Sequence, residues 1–156
     1  MQTFFFTCVA TSRKPIFDRQ NLDFINAIIQ CCEYFSLRPS FLLHALSIMP
    51  NHIHFLYSEI DCKTDFNTRF LRFTTKQILS TNNLRLKHER VSFTSNYNDR
   101  KTQVWRPRSK LILVHNKQQY FAVKRYIHSN HLKEFWKGAA FNQKFPSLTF
   151  SPRFWD

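Results

Sequence analysis

Apolar residues along the chain follow two rhythms, one of period two and one of period near 3.6, and their order predicts the fold. Thr3–Ala10 is rich in β-branched and aromatic residues and stops at Ser12-Arg13-Lys14-Pro15, which predicts a strand buried on both faces. Leu22, Ile25, Ile28, Ile29 and Cys32 then recur at helical spacing, with Asp18 or Asn21 as cap and Arg38-Pro39-Ser40 as the stop. Phe41–Met49 and His52–Tyr57 are strand-like, and Met49-Pro50-Asn51 between them suits a tight hairpin. Asp65 is placed to cap a second helix with Phe66, Phe70 and Phe73 as its apolar stripe and Arg69, Arg72 and Lys76 on a separate basic face. Ser80–Arg100 lacks periodicity and reads as a flexible connection with a short strand around Val91–Thr94. Val104–Val114 reads as extended, and Asn116 with Gln119 imitates a capping box ahead of a third helix running to about His131. The tail from Phe145 to Asp156 is expected to be irregular. Strand, helix, hairpin, helix, strand, helix is the order of an α+β, ferredoxin-like split βαβ domain with a mostly antiparallel sheet, and 156 residues suit one domain.

Composition narrows the partners. Lys and Arg number 23 against 10 acidic residues, a formal charge of +13, which points to a polyanion. Aromatics make up 17% of the chain, and flat rings beside cations suit unstacked bases, although core packing accounts for most of them. The chain holds one glycine, Gly138, so phosphate-cradling glycine loops are excluded and no nucleotide cofactor is expected. Cys8, Cys31, Cys32 and Cys62 lack paired zinc spacing and read as buried thiols in a reducing, cytoplasmic compartment. Phe4–Ala10 is too short and lacks the basic lead-in of a signal peptide, and no stretch is long enough to span a membrane.

Two residue pairs carry candidate chemistry. His52 and His54 lie two apart on an expected strand, so both imidazoles leave one face with Ile53 pointing away, a spacing that chelates a divalent ion or simply leaves two half-exposed histidines. Tyr126 and Asn130 are four apart on the third helix and share a face, with Val123 and Ile127 on the side that would press onto the sheet. If that helix covers the histidines, a phenol and an amide meet a metal held by imidazoles. The metal would polarise a phosphate oxygen and Tyr126 would attack phosphorus, leaving a 3′-hydroxyl and a phosphotyrosine ester. Taken alone, Tyr126 reads more readily as an interfacial aromatic.

Met49-Pro50-Asn51-His52-Ile53-His54-Phe55-Leu56 resembles the signature segment of the REP-associated tyrosine transposases, relatives of the one-tyrosine HUH (IS200-like) transposases. Phe70-Leu71-Arg72-Phe73-Thr74, Asp99-Arg100-Lys101 with Val104-Trp105, and Tyr126-Ile127-His128-Ser129-Asn130 resemble further segments of that family, in order and over about residues 3 to 135. The resemblance implies an endonuclease and strand transferase for hairpin-forming single-stranded DNA, with Tyr126 as nucleophile and His52, His54 and Asn130 as ligands of Mg2+ or Mn2+. It also implies association with the nucleoid and is compatible with a homodimer. The family pattern has proline after the asparagine, where this chain has His131, and a glycine soon after that is absent here. DNA-contact candidates are Arg69, Arg72 and Lys76, then Arg100, Lys101, Arg106 and Arg108, with Trp105 as a stacking platform and His131 near the metal or a phosphate. The competing readings are a catalytically inactive hairpin-binding protein and an RNA-binding ferredoxin-like domain; the latter would carry aromatics where His52 and His54 stand.

Overall fold

The second strand of the Pro50-Asn51 hairpin takes the centre of the sheet. In the computed structural model, which describes residues 1–60, 65–95, 101–130 and 148–149, β1 (Gln2–Val9), β2 (Phe41–Met49) and β3 (His52–Glu59) form its middle. β3 pairs antiparallel with β1 on one side and β2 on the other. β4 (Lys110–Val114) adds to β1, and the two-residue β5 (Leu148–Thr149) adds to β2, giving the order β4-β1-β3-β2-β5 with every pair antiparallel. The first four strands in this order, joined through helices, make the ferredoxin-like α+β layer expected from the sequence.

Period-two alternation divides the sheet into two faces. Phe6, Cys8, Leu43, Leu46, Ile53, Phe55 and Tyr57 point toward α1 (Leu22–Ser36) and α2 (Phe66–Leu84) and form the main core with Phe24, Ile28, Phe35, Phe66 and Phe70. Its aromatic rings interlock: Phe66 lies 4.7 Å from both Phe41 and Tyr57 and 4.9 Å from Phe35, mostly in tilted or edge-on geometry. α3 (Lys117–Ser129) covers the opposite face, seating Tyr120 and Ile127 on Ala45 and Leu56 with Phe5, Val114 and Val123 at the margin. No described helix is long and apolar enough to cross a membrane. Cys8, Cys31 and Cys32 are buried free thiols, and burial pushes the Cys31 thiol up to about 12.

Several local expectations are corrected. The buried stripe of α2 is Phe66, Phe70, Thr74, Ile78 and Asn82, a strict four-residue repeat, while Phe73 is 39% exposed. Thr74 fits inside because its hydroxyl bonds the Phe70 carbonyl and accepts the indole N–H of Trp105. On α1, Leu22 is exposed and Phe24 takes the core position instead. The connection after Ser80 is tied down: α2 continues to Leu84, Asn82 brackets both backbone groups of Val91 at 2.9 Å, Phe93 is buried, and Arg85 pairs with Asp23. Side-chain amides and ion pairs of this kind leave no hydrophobic period to read. Val104–Val114 is broken by Arg108, whose φ of 62° is left-handed, so that only Lys110–Val114 joins the sheet as β4. The tail contributes β5 where the outer edge of β2 leaves Ala45 and Leu46 open to pairing; its remaining residues lie outside those described.

Helix starts also differ from expectation. Asp65 stands at the α2 N-terminus with φ 42° and makes no capping bond; the carboxylate of buried Glu59, at the end of β3, accepts the Phe66 N–H at 3.0 Å instead. Asp18 caps the short 3-10 turn before α1, whereas Asn21 makes no side-chain cap. Asn116 does cap α3, accepting the Gln119 N–H at 2.9 Å, while Gln119 reaches back to the His115 N–H. Glu59→Ala is therefore expected to lower unfolding stability by about 1–2 kcal/mol, and Asp65→Gly to leave it unchanged or raise it. Urea unfolding of both variants checks this, and the reverse ranking would return the cap to Asp65.

Candidate active site

The hairpin that joins β2 to β3 sets the histidine pair. Met49 pairs directly with His52 across the Pro50-Asn51 turn, and from there the alternation sends His52, His54, Leu56 and Ser58 to the α3 face. The two imidazole centres lie 4.7 Å apart, His54 buried to 5% and His52 partly exposed. Each ring is held by its Nδ1. His54 Nδ1 meets the hydroxyl of Thr7, its cross-strand partner on β1, at 2.8 Å. His52 Nδ1 meets Asn51 Oδ1 at 2.7 Å, and because Asn51 Nδ2 already donates to the Arg13 carbonyl, the amide is oriented and His52 Nδ1 carries the proton. Nε2 of His52 then carries the ring's lone pair.

α3 brings the tyrosine to this pair. Tyr120 and Ile127 are fully buried against the sheet, which turns Tyr126 toward its edge, 39% exposed. The Tyr126 hydroxyl lies 3.4 Å from His54 Nε2, the rings are 5.2 Å apart and near perpendicular, and Phe5 packs edge-on at 6.0 Å beneath the phenol. Asn130, the C-terminal cap of α3, is buried to 2%, and its Nδ2 has no hydrogen-bond partner among the described residues. A buried amide with an unsatisfied end is costly unless something else satisfies the group. Among the described residues no group of three or more His, Cys, Asp or Glu stands together, so the two imidazoles have no third ligand of those types there. Two imidazoles are donors that suit a divalent ion, whereas the unsatisfied Asn130 Nδ2 is an N–H donor that calls for an acceptor such as a phosphate oxygen, so that only its Oδ1 could serve as a ligand.

A second polar group underlies the other half of α3, and sequence reasoning missed it. β2 bulges at His44, whose Nε2 bonds Ser58 Oγ at 2.6 Å; Ser58 in turn meets Thr3 Oγ1 at 2.7 Å, and the imidazole packs edge-on against Tyr120. His44 is 1% exposed, and burial, followed by the nearby charge of Lys124, holds it at about 4 rather than 6.5. Burial likewise raises the Tyr120 phenol to about 12. A lone histidine within an apolar strand was the available signal; the bulge that redirects it was not readable.

No family model and no curated protein matches the chain. Among solved structures, one of a REP-associated tyrosine transposase bound to a REP hairpin superposes with a TM-score of 0.59 at 25% identity, covering 86% of this chain and 69% of the other. The fold is also that of a protein from Deinococcus radiodurans R1 described as a transposase, with a TM-score of 0.50, 13% identity, and coverage of 84% and 92%. The chain resembles the REP-associated tyrosine transposases. That similarity supports a transposase-like role in DNA processing.

In this REP-associated transposase-like framework the basic candidates separate. Arg72, Lys76, Arg106 and Arg108 line one groove between α2 and the segment before β4. Arg69 instead lines an apolar pocket between α1 and α2 with Cys31, Tyr34, Phe35 and Phe73. Helical periodicity grouped Arg69 with Arg72 and Lys76, but Arg69 stands two turns, roughly 10 Å, before Lys76 along the axis, so it reaches the α1 side near the start of α2 while Lys76 reaches the segment before β4. Lys101 is exposed at the far end of the same segment. Trp105 borders the groove but is only 6% exposed, stacked on Phe17 at 5.6 Å, so little open ring remains for a base. Arg100 and His131 lie outside the described residues.

His44 gives this site a pH signature. A histidine neutral in the fold down to about 4 but titrating near 6.5 when unfolded leaves the unfolded chain binding more protons between those values, so stability falls as pH drops from 6.5 to 4 and is flat below. His44 should contribute a loss on the order of 3 kcal/mol over that window. Comparing wild type with His44→Gln, which keeps a hydrogen-bonding group without titrating, checks this: the variant's stability should fall less steeply in the window, and equal slopes would remove His44 as the cause.

Proposed function

We propose that the chain is a metal-dependent endonuclease and strand transferase acting on hairpin-forming single-stranded DNA, with Tyr126 as nucleophile and His52, His54 and Asn130 as ligands of Mg2+ or Mn2+. The observation that carries this reading is the approach of the Tyr126 hydroxyl to 3.4 Å from His54 Nε2, beside the paired imidazole of His52. Similarity to a transposase whose structure holds a REP hairpin supports the substrate class. Two imidazoles beside an amide suit Mn2+ better than Mg2+, which prefers oxygen ligands in a strict octahedron.

A bound divalent ion would supply Lewis-acid polarisation of a non-bridging phosphate oxygen. The chain's own residues do the rest. Tyr126, open to solvent on one side, loses its proton to water, and its Oη attacks the scissile phosphorus. The bond from phosphorus to the 3′ oxygen breaks, and that oxygen departs as a 3′-hydroxyl after taking up a proton. The phosphate remains on Tyr126 as a 5′-phosphotyrosine ester. An incoming 3′-hydroxyl reverses these steps and reseals the strand, releasing the phenol, so no nucleotide is consumed. Thr7 and Asn51 fix the imidazoles through Nδ1. Phe5 limits the phenol's rotation from below.

The test is a denaturing gel with a labelled single-stranded hairpin oligonucleotide and Mn2+. A covalent protein–DNA product should form, vanish in Tyr126→Phe and in the presence of chelator, and fall at least 100-fold in rate in His54→Ala. Tight binding with no covalent product would leave the chain a catalytically silent hairpin-binding protein. Separately, Thr7→Val should weaken Mn2+ binding about 10–100-fold, measured by titration calorimetry, by freeing the ring that Thr7 now orients. Unchanged affinity would remove His54 from the ligand set.

A further inference from the structure

A groove of about 550 Å³ runs between α2 and residues 102–109, and its charge is uncompensated. Arg72 and Lys76 form one wall and Arg106 and Arg108 the other, while no acidic residue lines it. The four cations make no ion pair among the described residues, where Arg85 and Asp23 form the one such pair. Like charges gathered without counter-charge raise the local potential and call for an anion. The floor is apolar, formed by Leu71, Val104 and the rim of Trp105. Basic walls over an apolar floor match a sugar–phosphate backbone with its bases turned inward, as single strands present themselves.

The position of the groove connects it to the histidine pair. The Arg106 N–H donates to the Val9 carbonyl at 2.8 Å, and Trp105 bridges to Ala10, so the wall carrying Arg106 and Arg108 continues the sheet beside the end of β1. Val9 is the cross-strand partner of His52. The backbone of the wall therefore stands two strand spacings from that of His52, roughly 9.5 Å, at the same end of the sheet; the groove lies on the α2 side and the imidazoles on the α3 side, so a strand joining them rounds this end of the sheet. The left-handed backbone of Arg108, φ 62°, ends the wall and turns the chain into β4.

We propose that this groove is the track for single-stranded DNA flanking the cleaved phosphate, its four cations contacting successive phosphodiesters on the strand that reaches His52, His54 and Tyr126. This inference rests on the function proposed above and assigns the unpaired flank, rather than the hairpin stem, to this surface.

The test uses the full chain carrying Tyr126→Phe, so that binding is read without cleavage. Affinity for a labelled hairpin with single-stranded flanks, and for the same hairpin trimmed of them, is measured by fluorescence anisotropy across a salt series. Arg106→Gln and Arg108→Gln should each lower the slope of log K against log salt by about 1 on the flanked oligonucleotide and leave the trimmed one unaffected. Arg72→Gln and Lys76→Gln, on the exposed side of a helix, should do the same if the wall variants fold poorly. Lys87→Gln removes one charge elsewhere and should change neither slope. Equal losses on both oligonucleotides would assign the groove to the stem, and unchanged slopes would empty it of DNA; either overturns the inference. Covalent product formed by a groove variant with intact Tyr126 while its slope is unchanged would sink the track and keep the chemistry. Flank-specific slopes without any covalent product from the unmutated chain would do the opposite.

Discussion

The position of β3 between β1 and β2 is the constraint on which the other features depend. A strand hydrogen-bonded on both edges cannot slip by one residue without exchanging its two faces, and here the faces differ sharply. Ile53, Phe55 and Tyr57 enter the aromatic core under α1 and α2, while His52, His54, Leu56 and Ser58 face α3. A one-residue slip would bury two imidazoles among phenylalanines and expose the largest rings of the core. The energy that holds the register is thus the energy of the core, and the histidine pair inherits a geometry that it does not itself stabilise. Thr7, which orients His54, is placed by the same register from the neighbouring strand.

The face under α3 has a polar–apolar–polar layout. His54 and Thr7 lie at one end, Leu56, Ala45 and Phe5 form an apolar seat in the middle, and Ser58, Thr3 and His44 form a hydrogen-bonded group at the other. Ile127 and Tyr120 settle on the seat, and the Tyr120 ring stands against His44. Apolar burial supplies attraction without direction, whereas the directional contacts at each end restrict how far the helix can slide or turn. Tyr126 gains its place from that restriction. Its ring is caught between Phe5 and His54 while its hydroxyl stays at the margin of the sheet.

The opposite face is closed by α2, whose four-residue repeat brings Thr74 into the interior because Trp105 and the Phe70 carbonyl satisfy it. The contact also anchors residues 102–109 against the helix. One consequence is mechanical, a fixed wall at the end of β1; the other is electrostatic, four cations on facing walls. Core packing and surface charge meet in Trp105, a residue whose sequence context suggested a role toward the ligand and whose burial gives it a role toward the scaffold.

Much of this was legible in the chain. The strand pattern, the Pro50-Asn51 turn, the helical stripes and the His52/His54 and Tyr126/Asn130 spacings are local, and local periodicity fixes which side chains share a face. Those features led to the ferredoxin-like order and to the resemblance that the solved structures bear out. What remained hidden depends on residues distant in sequence. Glu59 capping α2 in place of Asp65, Asn82 bracketing Val91, the bulge at His44 and the inward turn of Trp105 each satisfy a polar group with a partner seven to 31 positions away. Sequence alone determined which residues could share a face and therefore which chemistry was conceivable. Tertiary structure decided which faces meet, because hydrogen bonds and packing between strands and helices have no period along the chain.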